Sequence, residues 1–173
     1  MRKRDKLKNY KQANLMLEQS YLKSKDLLTE VEDLELKNTA KKLFSAAKKF
    51  GLKPEYSTKT VNFNSKQSDI NAGYGAKIVV ADGVITIGVY NIGVLQSIRR
   101  GGFPGVEAKE VSETDGNPSS DTNIKAMGKA LGLIFKAFMT ELPQDKFETR
   151  NTGNKPNEYG FYLIQAKPKS EQK

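Results

Sequence analysis

Hydrophobic positions recur at helical spacing in the first 50 residues of the chain and alternate with polar positions after residue 60. The first apolar positions, Leu7, Tyr10, Leu17 and Tyr21, form one narrow stripe with Asn14 between them. A stripe this narrow cannot bury itself. The pattern therefore predicts a helical arm over residues 1–26, which docks on its own domain, on another copy or on a partner.

A second helix is predicted over about residues 30–50. Thr29 and Glu32 match a capping box, in which each side chain satisfies a backbone amide of the other at a helix start. Carboxylates are favoured in the first turns of a helix by its dipole, and four follow here: Glu30, Glu32, Asp33 and Glu35. Gly51 suits the position after the last turn, and Pro54 prevents the helix from continuing.

The segment 77–90 has the clearest strand pattern in the chain, and a further alternating run covers 60–64. Asp82-Gly83 lies between two β-branched runs, which is the preferred sequence for a two-residue type I′ hairpin turn. Such a turn predicts the register of the hairpin: Val80 opposite Ile85, and Ile78 opposite Ile87.

A third helix is predicted over about residues 122–142. It has a wide apolar stripe of Ile124, Met127, Leu131, Ile134, Phe135, Phe138 and Leu142. Gly128 and Gly132 are unfavourable inside a helix, so we expect them to mark a close approach of its backbone to the sheet. Residues 147–150 and 159–166 resemble a second pair of strands.

Hairpins rather than alternating strand and helix units predict an α+β fold. We expect a mostly antiparallel sheet of about five strands with a long helix packed on it, plus the N-terminal helical arm. The predicted organisation is the arm over 1–26, an α+β domain over 27–166 and a flexible tail over 167–173.

The composition of the 173-residue chain excludes several kinds of chemistry. It has no cysteine and no histidine, which removes disulfides, thiolate catalysis, Ser-His-Asp and Cys-His hydrolases and nearly all zinc sites. The acidic cluster at 30–35 offers carboxylates for Mg²⁺, but the helix dipole already accounts for it. Ser-Lys chemistry, carboxylate pairs and Mg²⁺ on carboxylates remain possible, but no motif in the sequence specifies them. We expect no catalytic residue, no metal and no cofactor, and a binding protein rather than an enzyme.

The formal net charge of +9 favours nucleic acid, an anionic surface or an acidic protein as partner, or serves solubility alone. No apolar run approaches the roughly 18 residues of a membrane span. The charged first six residues are not followed by the apolar core of a secretory signal. We expect no membrane association and a cytoplasmic protein.

Two groups of residues are candidates for binding nucleic acid or another anion. The first is the basic beginning of the arm, formed by Arg2, Lys3, Arg4, Lys6 and Lys8. The second is the glycine-rich loop 99–105, where Arg99 and Arg100 could hold a phosphate and Phe103 could stack on a base. The alternatives are a partner-clasping arm or solvated tail for the first group, and a surface loop with glycine turns for the second.

The segment 125–132, Lys-Ala-Met-Gly-Lys-Ala-Leu-Gly, resembles the pyrophosphate-binding turn of GNAT-type acetyltransferases, and the segment 160–162 resembles their closing aromatic strand. The resemblance implies an acyl-cofactor site. Lys125 stands where that family has Arg or Gln, and a polar loop precedes the segment where the family has a strand. The apolar stripe also places 124–131 inside a helix rather than before one.

The segment 8–22, Lys-Asn-Tyr-Lys-Gln-Ala-Asn-Leu-Met-Leu-Glu-Gln-Ser-Tyr-Leu, resembles the beginning of many small, uncharacterised proteins of tailed bacteriophages. The resemblance covers about the first 25 residues. It implies a phage origin, a location in the host cytoplasm or the virion, and a role in the virion or in the handling of phage DNA. It assigns no functional residues.

These observations lead to three expected functions. The first is a non-enzymatic phage accessory protein, a structural or assembly component whose partner-binding residues are Leu7, Tyr10, Leu17 and Tyr21, through which it docks on a protein partner or on another copy. The second is a DNA- or RNA-binding protein that uses the basic arm and the 99–105 loop. The third is a small GNAT-like acyltransferase.

Overall fold

A single helix, α1, runs without a break from Lys3 to Lys49 in the computed structural model of the protein. The prediction of two helices is therefore wrong, and Thr29 lies inside α1. Glutamate is a good helix former within a helix as well as at its start, so the Thr-Glu-Val-Glu sequence does not require a break. The dipole of a helix start consequently does not explain the carboxylates at 30–35.

The structure describes residues 3–60, 63, 75–153 and 161–169. The chain divides into two compact units, residues 1–35 and residues 36–173. In the first unit the described backbone is helical throughout. The second unit contains the remainder of α1 and all the other helices and strands that the structure describes. The predicted boundary at residue 26 stays a prediction.

The second unit is built on a five-stranded sheet. Its strands are β1 (Lys53–Ser57), β2 (Gly75–Ala81), β3 (Val84–Tyr90), β4 (Phe147–Gly153) and β5 (Phe161–Pro168), in the spatial order β1-β2-β3-β5-β4. The β1–β2 pair is parallel and the other three pairs are antiparallel. β1 and β4 form the two edges of this sheet.

The β2–β3 hairpin confirms the register predicted from the sequence. Asp82 and Gly83 both have positive φ angles, 52° and 72°, as a type I′ turn requires. Ile78 lies opposite Ile87, and Val80 lies opposite Ile85. All four side chains are buried on the inner face of the sheet.

Helix α3 (Asp121–Glu141) contributes its apolar stripe to the same core as the inner face of the sheet. Met127, Leu131, Ile134 and Phe138 are buried there together with Leu43 and Ala47 from α1. The α+β class and the mostly antiparallel five-stranded sheet are thereby confirmed.

Gly128 and Gly132 do not mark a close approach to the sheet. Both are exposed on α3, and a Cβ atom added at either position would meet nothing within 4 Å. The prediction is wrong because a glycine in a helix need not have a packing role.

We expect Gly128→Ala to raise the free energy of unfolding by about 0.5–1 kcal/mol, because alanine loses less backbone entropy in a helix and has open space here. Urea denaturation of the purified protein measures the change, and Gly132→Ala should give the same sign. A loss of stability in both variants would show that these positions are covered in the folded protein.

Two elements differ from the sequence prediction. Helix α2 (Asn91–Arg99) directly follows β3 and was not expected. The first strand is β1, at Lys53–Ser57, whereas the alternating run 60–64 lies largely outside the described residues, with Phe63 in a turn. β1 is an edge strand with a mixed pattern of burial, so it lacks the regular apolar alternation that marks β2 and β3.

The outer face of the sheet is partly apolar. Tyr90 is buried there and packs with Phe63, Ile92 and Leu163. Along the β4 edge the outer face becomes polar, with Glu148 and Arg150 both exposed. Among the described residues, the search for a helix with the length and apolar character of a membrane span finds none.

Candidate docking surface

Helix α1 carries a set of large apolar side chains on its surface, which we call the α1 patch. They are each 57–70% exposed: Leu15, Met16, Leu17, Tyr21, Leu22 and Leu34. Single exposed apolar residues are ordinary, but six within 20 residues of one helix are typical of an interaction site. The patch covers more than one face, since Leu15 and Leu22 are a heptad apart and Leu17 and Tyr21 lie on the neighbouring face.

Two of the four predicted docking residues, Leu17 and Tyr21, are members of the α1 patch. Leu7 and Tyr10 lie in the helical backbone of α1, and their side chains are outside the described part of the chain. The predicted docking residues do not include the other four members of the patch, Leu15, Met16, Leu22 and Leu34. The run Leu15-Met16-Leu17 is apolar at three successive positions, which indicates that apolar side chains cover more than one face of the helix here.

Charge is segregated along α1. Residues 2–11 contain six basic residues and one acid, whereas residues 26–35 contain five acids and no basic residue. Like charges three or four positions apart repel on a helix, and basic residues oppose the helix dipole in its first turns. Each charged segment is therefore complementary to a surface of the opposite charge.

The basic candidates of the arm have no described side chains. Arg2 lies outside the described residues, and Lys3, Arg4, Lys6 and Lys8 lie in α1 with only their backbone described. Their role in binding an anion stays a prediction.

In the 99–105 loop, the Arg99 side chain has a structural role. Its guanidinium donates hydrogen bonds to the backbone oxygen of Ser112, at 3.1 Å, and to that of Asp115. Arg99 thereby joins the end of α2 to the loop that precedes α3. Its half-buried position and these two acceptors leave it poorly placed to bind a phosphate.

Phe103 is buried at 4% exposure, and its ring centroid lies 5.0 Å from that of Phe50. The ring is therefore part of the core rather than a surface on which a base can stack. Arg100 is the exposed member of the three loop candidates. The glycines of the loop are typical of an exposed segment. Here they allow the backbone to turn, since Gly101 and Gly105 have φ angles of 71° and 86°.

A groove of about 450 Å³ runs beside this loop, and carboxylates line it. The Lys129 ammonium lies 3.0 Å and 3.1 Å from the two carboxylate oxygens of Glu110. A hydrogen bond from the Glu107 backbone N–H and this ammonium hold the pKa of Glu110 below its usual range. Glu107 is paired in the same way, with the Lys109 ammonium 2.7 Å from its carboxylate, so both lysines beside the groove are engaged by carboxylates and the groove is a poor site for an anion.

The segment that resembles an acetyltransferase turn lies inside α3, which extends from Asp121 to Glu141. The backbone N–H groups of a helix interior are bonded within the helix and are not available to a pyrophosphate. Gly160, in the second matching segment, is outside the described residues. Within the described ranges, the search for three or more acidic side chains placed to hold a metal ion finds none.

The α1 patch is thus the strongest candidate for a functional surface in the part of the chain that the structure describes. Its apolar side chains are exposed, and the basic and acidic residues of α1 are segregated along the helix. Comparison of the chain with family models, with curated proteins and with solved structures finds no match in any of the three.

Proposed function

We propose that this protein is a non-enzymatic assembly component of the tailed-phage type, which docks on a protein surface through the α1 patch. The observation that carries the proposal is the exposure of six large apolar side chains between Leu15 and Leu34. Burying such side chains is the main favourable term in most protein associations. The resemblance of residues 8–22 to tailed-phage proteins supports the setting, which is a phage-infected cell or a virion.

Docking on protein is favoured over direct binding of nucleic acid by the state of the 99–105 loop. Arg99 bonds two backbone oxygens and Phe103 packs in the core, so the nucleic-acid alternative keeps Arg100 and the basic first turns of α1. The two lysines beside the neighbouring groove are paired with carboxylates, which weakens their attraction for a phosphate backbone. The α1 patch, in contrast, is apolar and suits the interior of a protein interface.

The proposal is tested with the variant Leu17→Gln/Tyr21→Gln. In the lysate of cells that produce the protein, we expect the wild-type chain to elute from a sizing column in a complex much larger than a dimer. The double variant should elute as a much smaller species, because it loses two large apolar contacts, each of which is worth about 2 kcal/mol when fully buried. The variant Lys41→Gln/Lys42→Gln, altered at two exposed positions elsewhere on α1, is the matched control.

Nuclease treatment of the same lysate distinguishes the two functions. Elution that is unchanged by nuclease and altered by the double variant supports protein docking. Elution that collapses after nuclease treatment, with the double variant behaving as wild type, would instead assign the protein to nucleic acid. A wild-type chain no larger than a dimer in the lysate would also overturn the proposed assembly role.

A further inference from the structure

Because α1 continues without a break past residue 29, its apolar stripe is longer than the sequence analysis predicts. With helical phase kept through Lys3–Lys49, the stripe of Leu7, Tyr10, Leu17 and Tyr21 continues at the same heptad spacing to Leu28 and Val31. Two polar residues interrupt it, Asn14 and Ser24. The stripe therefore has eight successive positions of the kind that forms the seam of a coiled coil.

We propose that the partner of this stripe is a second copy of the chain, paired antiparallel over residues 3–35 with Gln19 of each copy at the centre. This pairing rests on the proposed function, because it identifies a second copy of the chain as a protein that α1 binds.

The register of the pair follows from the order of apolar and polar positions. With Gln19 at the centre, Leu7 lies opposite Val31 of the second copy, Tyr10 opposite Leu28, and Leu17 opposite Tyr21. The polar positions also meet, Asn14 opposite Ser24, so that neither is set against an apolar residue. A shift by one heptad would place Asn14 against Val31 in one direction and against Leu17 in the other, which leaves a polar group without a polar partner.

Apolar matching alone would permit a parallel pair, because each stripe residue would then meet its own counterpart. Charge decides the orientation. In a parallel pair the basic segment 2–11 would face another basic segment, and the acidic segment 26–35 another acidic one. In the antiparallel pair the basic segment of one copy lies alongside the acidic segment of the other, so the charges of the two segments attract each other between copies.

The proposed pair leaves part of the α1 patch uncovered. Leu15 and Leu22 are on the neighbouring face, which does not belong to the seam. They remain available to the larger assembly of the proposed function, which Leu17 and Tyr21 support by holding the two copies together. The pairing also brings the two Glu18 carboxylates near each other at the centre and Lys11 near Lys25 of the other copy, and these like-charge contacts oppose association. Glu18→Gln should consequently strengthen the pair.

Single-cysteine variants of the full chain test both pairing and orientation, because the natural chain has no cysteine. Asn14→Cys and Ser24→Cys are purified separately, mixed and oxidised. In the antiparallel register, residue 14 of one copy is level with residue 24 of the other, within reach of a disulfide. Two copies of the same variant would have their thiols about 15 Å apart along the axis, beyond that reach.

The expected product is therefore the mixed disulfide dimer of the two variants, identified by its mass, with little disulfide dimer from either variant alone. Dimers formed by each variant alone would assign a parallel pair and overturn the proposal. The absence of any disulfide dimer would overturn it as well. Circular dichroism of both variants confirms that they remain folded.

Sedimentation equilibrium of the purified chain provides an independent measurement. We expect Lys6→Glu/Lys8→Glu to raise the dissociation constant of the dimer on the order of tenfold, because attraction to the acidic segment becomes repulsion at both ends. Lys41→Glu/Lys42→Glu makes the same change of charge outside residues 3–35 and should have a much smaller effect. Equal effects of the two variants, or a monomeric wild-type chain at tens of micromolar, would contradict the pairing.

The proposed function and the pairing fail in different experiments. A purified chain that is monomeric, in a lysate complex that depends on Leu17 and Tyr21, would end the pairing and leave docking on another protein. A purified antiparallel dimer that is no larger in the lysate would retain the pairing and end the assembly role.

Discussion

Gly93→Ala is expected to destabilise the protein strongly, lowering the free energy of unfolding by about 2–3 kcal/mol. Gly93 is buried in α2, where it packs directly on Gly75 at the start of β2. A Cβ atom at position 93 would lie 2.2 Å from the Gly75 Cα and 3.0 Å from its backbone nitrogen. These are backbone atoms that no rotamer change can move, so α2 and β2 would have to separate. The gain in helix propensity from alanine, about 1 kcal/mol, offsets part of the loss.

Thermal or urea denaturation measures this loss, and Gly128→Ala is the matched control. It is the same chemical change inside another helix, but it has open space around the new methyl group and an expected effect of opposite sign. If both substitutions stabilised the protein, α2 and β2 could not be in contact at Gly93 and Gly75.

Asn123→Ala is expected to lower the free energy of unfolding by about 2–4 kcal/mol. The Asn123 side chain is completely buried at the beginning of α3. Its amide nitrogen donates to the backbone oxygens of Asp115 and Asn117, at 3.0 Å and 2.8 Å, and its oxygen accepts from the Ser112 N–H at 2.9 Å. Alanine would leave three part-buried backbone groups without this partner. The loop between Val111 and α3 would be loosened as a result.

Urea denaturation measures the stability of this variant, and hydrogen exchange at the Ser112 amide reports the loop directly. Asn117→Ala is the control, since that side chain is exposed and accepts one local hydrogen bond from the Ser119 N–H. We expect the control to change the stability by about 0.5 kcal/mol. A similar loss in both variants would mean that the Asn123 bonds are replaced by water at little cost.

The parts of the fold that local chemistry determines were predictable from the sequence. Asp82-Gly83 requires a type I′ turn, and that turn determines which residues of β2 and β3 face each other. The wide apolar stripe of α3 likewise identified the helix that joins the core. Leu17 and Tyr21 were selected because their stripe was too narrow to bury itself, and the structure places both at the surface.

The remaining differences depend on tertiary contacts that a linear pattern does not contain. Phe103 follows glycines and precedes a proline, which are features of an exposed loop, but Phe50 from the end of α1 provides it with a buried neighbour. The sequence predicts a phosphate-binding role for Arg99 because the backbone oxygens that its guanidinium bonds are 13 and 16 residues away in the chain. β1 forms by pairing with β2, and its own residues show no strand alternation.

The position of β4 at one edge of the sheet has a consequence for the behaviour of the protein at high concentration. An edge strand has one row of backbone hydrogen-bonding groups that its own sheet leaves unpaired, and this row can capture a strand from another molecule. The charged side chains of Glu148 and Arg150 lie on this strand, and a strand from another molecule that paired here would have to remove them partly from water at a cost in free energy. Replacing both with valine should promote aggregation of the protein even if the folded state becomes no less stable, because the substitutions would remove a barrier to association rather than a contact of the fold.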